Sequence, residues 1–298
     1  MAFEKFCLEN GIYIKKDEPM KNHTSFKIGG CVDYFVKCSS VEQLKSVVKK
    51  ANQLNVPFFV LGKGSNVLVS DKGIEGAVIS LELLDKITVN GDELTASAGV
   101  SMAQVCTTAC ENGLTGLEFA YGIPGTVGGG LYMNAGAYGG EMSQVVTSAQ
   151  YIDCDGEIRN IELKDMQLGY RKSIFKTGGM VITSVTFKLK KGECCKIKEE
   201  MDGFMSRRKD KQPLEFPSAG STFKRPEGNF AGALIEKNNL KGFSVGGAKV
   251  SEKHAGFVIN YDNATCEDVR KLIDSIKETV LKNDGVELEP EVIFVGKE

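Results

Sequence analysis

Two glycine-rich stretches carry the densest chemical signal in this 298-residue chain. "LGKGSN" (61–66) offers Gly62, Lys63, Gly64, Ser65 and Asn66, and "GIPGTVGGGLYMNAGAYGGE" (122–141) holds eight of the 34 glycines. Glycine accepts positive φ and has no Cβ in the way of an approaching anion, so such loops can turn backbone N–H groups toward phosphate oxygens. Paired at the ends of expected strands, they suggest a dinucleotide pyrophosphate; tight turns and bulges would use the same glycines. Gly122, Gly125, Gly128 and Gly129 do not follow the G-x-G-x-x-G order. Lys63 precedes Gly64-Ser65, so this is not a P-loop either. Asn66 and Asn134 carry amides that could bond a ring edge or a phosphate, or cap turns.

A second group of residues could handle protons and negative charge. In "PSAGSTFKRP" (217–226), Ser221 sits at a turn leading into an expected strand. It has no obvious base and no G-x-S-x-G elbow, but a hydroxyl that protonates a carbanion needs only position and a relay. Arg207, Arg208, Lys209 and Lys211 precede it, and Lys224 and Arg225 follow. They read as a surface for a substrate phosphate or carboxylate, or as cations at a helix C-terminus. Arg171 in "QLGYRKSIFK" offers a fork for a carboxylate. Glu287, Glu289 and Glu291 alternate along an expected strand and share a face. The apolar "VIFV" after Glu291 makes it the one closest to the interior, where burial would raise its pKa toward a useful acid or hydrogen-bond donor.

Composition excludes several alternatives. His23 and His254 are the only histidines, which argues against a catalytic histidine triad and against a histidine-based metal site. Nine cysteines without regular spacing or a Cys-x-x-Cys motif fit reduced thiols. Lysine plus arginine (37) nearly balance aspartate plus glutamate (39), which gives no general attraction to nucleic acid or anionic membrane. No run approaches the roughly 18 apolar residues of a membrane span, and the expectation is a cytoplasmic protein.

The elements that must position these residues follow from periodicity. Leu44, Val47, Val48, Ala51 and Leu54 make a helical stripe after Ser39 or Ser40 as cap, followed by the buried strand Phe58 to Leu61. "GAVISL" reads as a strand, Asn90-Gly91-Asp92 and Asp155-Gly156 as hairpin turns, and residues 102–112 as a helix stopped by Gly113. "ECCKIKEEMDGFMSRRKDKQP" is a charged helix, and the expected domain boundary falls before it. This gives a larger lobe at 1–192, with halves of about 1–80 and 81–192, and a smaller domain at 193–298. In the latter, "AGALIEKNNL" is a short helix, "AGFVIN" a strand, "TCEDVRKLIDSIKETVLKNDG" a long helix with a Thr265/Asp268 capping box, and "VELEPEVIFVG" the last strand.

"LGKGSN", "GIPGTVGGGLYMNAGAYGGE", "LGYRKSIFK", "RRKDKQPLEFPSAGSTFKRP", "AGFVIN" and "LEPEVIFVG", in this order from about residue 20 to the C-terminus, resemble the UDP-N-acetylenolpyruvoylglucosamine reductase family. The form of the serine stretch is similar to the shorter class, without a tyrosine-loop insertion; Ile293 departs from the basic residue expected there. The resemblance implies an α+β chain: an FAD-binding fold of the vanillyl-alcohol oxidase type in two subdomains, then a smaller α+β substrate domain. It implies FAD on Gly62 to Asn66 and on Gly122, Ile123, Pro124, Gly125, Thr126, Gly128, Gly129, Asn134, Ala135, Gly136 and Tyr138, held non-covalently because neither loop contains histidine. NADPH would supply hydride, and UDP-N-acetylglucosamine enolpyruvate would become UDP-N-acetylmuramate, a peptidoglycan precursor. Arg171 and Glu291 would stabilise developing negative charge, Ser221 would protonate carbon, and Arg208, Lys211 and Lys224 would contact substrate. No nucleic acid, membrane or metal is expected, and the chain is expected to be a monomer. The rivals are a flavin-dependent alcohol oxidase of the same fold and a non-catalytic nucleotide-binding domain; the second leaves Arg171, Ser221 and Glu291 as coincidence.

Overall fold

The structure, a computed structural model, describes residues 2–298. Two compact units are present, and neither is continuous in sequence. The first takes the N-terminal residues to Lys16, Tyr34–Lys63 and Gly76–Arg208; the second takes Asp17–Asp33, Gly64–Glu75 and Lys209–Glu298. This differs from the single break expected before residue 193. Most of the charged helix Cys194–Lys211 stays with the first unit, because Ile197 and Met201 are buried in that core. Conversely, Phe26, Ile28 and Leu68 from two N-terminal loops are buried with the apolar residues of the C-terminal hundred. Those apolar runs are too short for their periodicity to say which core they join.

In the first unit, the helix Val41–Gln53 buries Leu44, Val47, Val48 and Ala51, the stripe set by their spacing. Ser40, not Ser39, is its N-cap, with Oγ accepting from Gln43 N at 3.1 Å. The helix leads into Phe58–Leu61, which runs parallel to Ile74–Ser80 with Phe58 opposite Ala77. These are the last two strands of a sheet ordered Tyr13–Pro19, Cys31–Lys37, Ile74–Ser80, Phe58–Leu61. A second sheet is antiparallel throughout, ordered Ile158–Glu162, Val146–Ile152, Val181–Lys188, Glu93–Ser97, Ile87–Asn90. Both expected hairpins close it: Asn90 faces Glu93 with Gly91 at φ +65°, and Gly156 turns at φ +78°. The helices Met102–Glu111 and Val127–Met133 belong to the same unit.

The second unit is built on the long helix Cys266–Asp284, whose buried stripe is Val269, Leu272, Ile273, Ile276 and Val280. Its capping box joins Thr265 and Asp268 as the sequence predicts, and Gly285 closes it at φ +68°. A three-stranded sheet, Ser244–Val245, Ala248–Val250, Val258–Asn260, and the short helix Ala231–Lys237 complete the α+β arrangement. The final strand is shorter than expected. Only Ile293–Val295 forms regular pairing, parallel to Val67–Val69. Pro290 interrupts the run, since proline brings no N–H to a ladder. Ile293 is thereby a strand residue, with its N–H bonded to Asn66 O at 3.0 Å.

The cap assignment is open to a direct check. Ser40→Ala is expected to lower unfolding free energy by about 1 kcal/mol in a urea titration, at unchanged m-value.

Candidate active site

The strand Phe58–Leu61 delivers Gly62 to the second glycine stretch. A Cβ on Gly62 would overlap Thr126 Oγ1, so the two loops, distant in sequence, lie backbone against side chain. Thr126 is buried and caps the helix Val127–Met133, its Oγ1 accepting from Gly129 N at 3.3 Å. Several glycines here serve close packing. A Cβ on Gly128 would lie 2.7 Å from Ala98 Cβ, one on Gly136 would lie 2.7 Å from Gly140 O, and one on Gly140 would lie 2.5 Å from the Phe119 ring. Others leave bare backbone. Gly129 is exposed, and a Cβ on it would meet nothing nearer than 3.5 Å; one on Gly122 would meet the Arg208 side chain at 3.2 Å and that of Met205 at 3.9 Å. Pro124 is exposed, while Ile123, Gly125, Ala135 and Gly136 are half-buried; Gly125 O accepts from Met102 N, and Ala135 N donates to Gly130 O. This ledge, almost free of bulky side chains beside Gly62 and exposed Lys63, fits an extended dinucleotide.

Arg208 stands against this ledge instead of out in solvent. Burial lowers its guanidinium pKa below the usual arginine value, with Tyr138 opposing. Tyr138, at φ +54°, is exposed and stacks on Phe204, with ring centroids 4.6 Å apart and planes 9° off parallel. The helix Cys194–Lys211 thus brings Phe204 and Arg208 to the glycine stretch, a contact that the sequence did not indicate.

Of the two roles the sequence offers Asn134, a ring or phosphate contact and a turn cap, the geometry is that of a cap. It is 1% exposed at φ +43°, the left-handed end of its helix. Its Nδ2 donates to Gly169 O at 3.0 Å and its Oδ1 accepts from Ser143 N at 3.0 Å, so the protein's own backbone takes up both ends of the amide. Ser173 Oγ donates to Tyr132 O at 2.7 Å. Together these bonds tie both sides of the Gly169–Lys172 turn to the glycine stretch. Arg171 sits at the tip, at φ +54°, half-buried, with its guanidinium 5.1 Å over the Tyr170 ring and its carbonyl accepting from Lys176 Nζ at 2.8 Å.

The second unit assembles Gly64, Ser65, Asn66, Ser221 and Glu291. Gly64 turns at φ +59°, where a Cβ would collide with the His23 carbonyl. Ser25 bridges two loops: its N–H donates to Gly64 O at 3.1 Å and its hydroxyl to Ser218 O at 2.7 Å. Asn66, like Asn134, has its Nδ2 engaged by protein, donating to Glu291 O at 3.1 Å. Ser65 is half-buried, while Ser221 is exposed and follows Gly220 at φ +78°. Beside Ser221, Thr222 is 2% exposed and makes three bonds: N–H to Gly256 O at 2.8 Å, Oγ1 from Val258 N at 2.9 Å, and its carbonyl from Glu291 N at 2.8 Å. Lys224 N donates to Glu289 O at 2.8 Å. Glu291 therefore lies opposite Thr222, the residue after Ser221, in a short antiparallel pairing centred on Phe223 and Pro290. Glu287 and Glu289 are exposed and Glu291 is half-buried, in the order the apolar flank suggested.

Lys224 is half-buried, with its Nζ ion-paired to the exposed Glu289. Lys211 is exposed. Thr222 and Ser25 as scaffold residues escaped the sequence reading. A serine and a threonine near turns look like any others, and only Thr222's place between Ser221 and Phe223 was a usable signal.

The family model for the UDP-N-acetylenolpyruvoylglucosamine reductase C-terminal domain matches residues 212–295, and that for an FAD binding domain matches residues 32–162. The chain is 51% identical over 285 residues to the UDP-N-acetylenolpyruvoylglucosamine reductase of Clostridium novyi, covering 96% of this chain and 93% of that one. It is 48% identical to the reductase of Streptococcus thermophilus, covering 96% and 94%. The crystal structure of the UDP-N-acetylenolpyruvylglucosamine reductase of Thermus caldophilus superposes with a TM-score of 0.83 at 32% identity, covering 95% of this chain and 99% of that one. Similarity at this level over nearly the whole length of each chain, spanning the glycine ledge and the Ser221 pairing alike, shows that the chain belongs to the UDP-N-acetylenolpyruvoylglucosamine reductase family.

Proposed function

We propose that this protein catalyses NADPH-dependent reduction of UDP-N-acetylenolpyruvoylglucosamine to UDP-N-acetylmuramate, the peptidoglycan precursor, with non-covalent FAD. The observation that carries the reading is family membership over both the FAD-binding and the C-terminal segments. When bound, FAD supplies the two-electron relay between NADPH and the enolpyruvyl double bond. The little-covered backbone at Gly129, and at Gly122 beneath the Arg208 side chain, supports its seat, with Gly62, Gly64, Thr126 and Tyr138 shaping the loops around it. Ile123, Pro124, Gly125, Ala135 and Gly136 would add main-chain contacts. No helix among the described residues is long and apolar enough to cross a membrane, and we read a cytoplasmic monomer.

Hydride addition to the vinyl CH2 carbon leaves negative charge on the neighbouring carbon and on the conjugated carboxylate. A cation and a hydrogen-bond donor at that position lower the barrier, and Arg171 and Glu291 are assigned these roles. Ser221 is assigned to protonate the carbon. A serine hydroxyl is a weak acid, but the carbanion is a strong base, so position counts for more than acidity. The pairing of Thr222 with Glu291 supports this assignment, since it ties the residue next to Ser221 in the chain to the segment that carries Glu291. Arg208, already stripped of much of its water, and Lys211 are the cations left for the UDP group once Lys224 is paired.

Four outcomes are expected. The protein should purify yellow and release its chromophore into the supernatant on acid precipitation. Gly64→Ala, strained at positive φ, should retain markedly less flavin, by about 1 kcal/mol of binding or more; a protein that is colourless and cannot be reconstituted with FAD overturns the proposal. Arg208→Ala should raise the KM for the UDP substrate by about fivefold or more, as loss of a partly desolvated charge contact. Ser221→Ala should bleach with NADPH within a few-fold of the parent rate, as followed anaerobically by stopped-flow absorbance. The return of colour with the enolpyruvyl substrate should slow by roughly 10²- to 10⁴-fold, the range for a positioned general acid. Equal slowing of both halves would reduce Ser221 to a structural role.

A further inference from the structure

Nine cysteines are free in the structure, and two of them meet. Cys110 lies in the last turn of the helix Met102–Glu111, and Cys194 opens the helix Cys194–Lys211, yet their Sγ atoms are 3.3 Å apart. Both belong to the first unit. Cys110 is 5% exposed, whereas Cys194 is exposed to solvent. We propose that Cys110 and Cys194 form a peroxide-reactive dithiol that closes to an intramolecular disulfide.

The chemistry divides by exposure. Cys194 Sγ attacks hydrogen peroxide; the O–O bond breaks, water leaves with the thiol proton, and a sulfenic acid remains on Cys194. Cys110 Sγ then attacks that sulfur; the S–O bond breaks, a second water leaves, and the Sγ–Sγ bond forms. Two thiols lose two electrons in total, and one peroxide is reduced to two waters. Burial first, and then Cys194 and Glu111, hold the Cys110 thiol above the ordinary cysteine value, while the Lys198 ammonium opposes them. Burial and a protonated thiol keep Cys110 from meeting the oxidant, and its 3.3 Å contact with Cys194 Sγ is what places it to resolve the sulfenic acid through its minor thiolate form. Cys195, adjacent and exposed, provides an internal control.

The consequence reaches the candidate active site. The bond would pin the first turn of the helix whose later turns place Phe204 on Tyr138 and Arg208 against Gly122. Nothing in the assigned reaction uses either sulfur, so the proposal stands apart from the reductase reading.

The reduced full-length protein, treated with a small excess of hydrogen peroxide, unfolded and alkylated without reductant, should carry two fewer alkyl groups than its nine cysteines allow. Peptide mapping should show Cys110 joined to Cys194, and dithiothreitol should restore all nine. Cys194→Ser should abolish the cross-link and Cys195→Ser should keep it. Cys110→Ser should leave a sulfenic acid on Cys194 that a dimedone probe captures. Full alkylation after peroxide, a link through Cys195, or a disulfide between two chains would each overturn the proposal.

Discussion

At Gly62 there is no space for a side chain, because the hydroxyl of Thr126 occupies the position a Cβ would take. Much of the first unit's site depends on that close approach. Thr126 uses the same hydroxyl to cap its helix, and the helix in turn needs Gly128 pressed on Ala98. The helix then ends in the left-handed Asn134, whose amide fixes the turn carrying Arg171. A chain of steric and hydrogen-bond constraints thus runs from a strand end to a catalytic candidate. The glycines do two different things along it: some let backbone approach backbone, and others leave an open ledge.

The second unit solves a similar positioning problem with hydrogen bonds. Thr222 has its N–H, hydroxyl and carbonyl all engaged at 2.8–2.9 Å, and it is almost fully buried. A buried threonine satisfied in this way is costly to displace, because each lost partner would leave a desolvated polar group. Its neighbour Ser221 is held at the surface by that anchor, and the bond from Glu291 N makes the glutamate's location depend on the same residue. Ser25 and Asn66 add two further ties, to Ser218 and Glu291. Exposed reactive side chains on buried, fully bonded supports combine access with fixed geometry.

Charge is distributed on the same principle. Of the basic residues flanking Ser221, Lys224 is neutralised by Glu289, whereas Arg208 is partly desolvated against Gly122 and Tyr138. A guanidinium that has already lost water gives up less hydration when it meets an anion, and its planar fork suits phosphate or carboxylate. The basic run in the sequence is therefore not one surface but several separate environments.

Local physics made the elements legible from sequence alone. The stripe Leu44, Val47, Val48, Ala51, the Thr265/Asp268 capping box, and the turns at Gly91 and Gly156 depend on residues a few positions apart, and each formed as its pattern required. The glycine stretches and the family motifs likewise pointed to the flavin-binding fold and the reductase family. Tertiary structure alone decided which core claimed Phe26, Ile28 and Leu68, and that Asn66 and Asn134 spend amide protons on the protein itself. It also decided that Lys224 is paired, and that Cys110 and Cys194, 84 positions apart, touch. These outcomes rest on contacts between distant segments, where a single residue leaves no periodic trace. The last strand shows the dividing line: alternation predicted it, but Pro290 and the pairing of Glu291 with Thr222 shortened it to Ile293–Val295, because a local pattern yields wherever a distant partner takes the hydrogen bond.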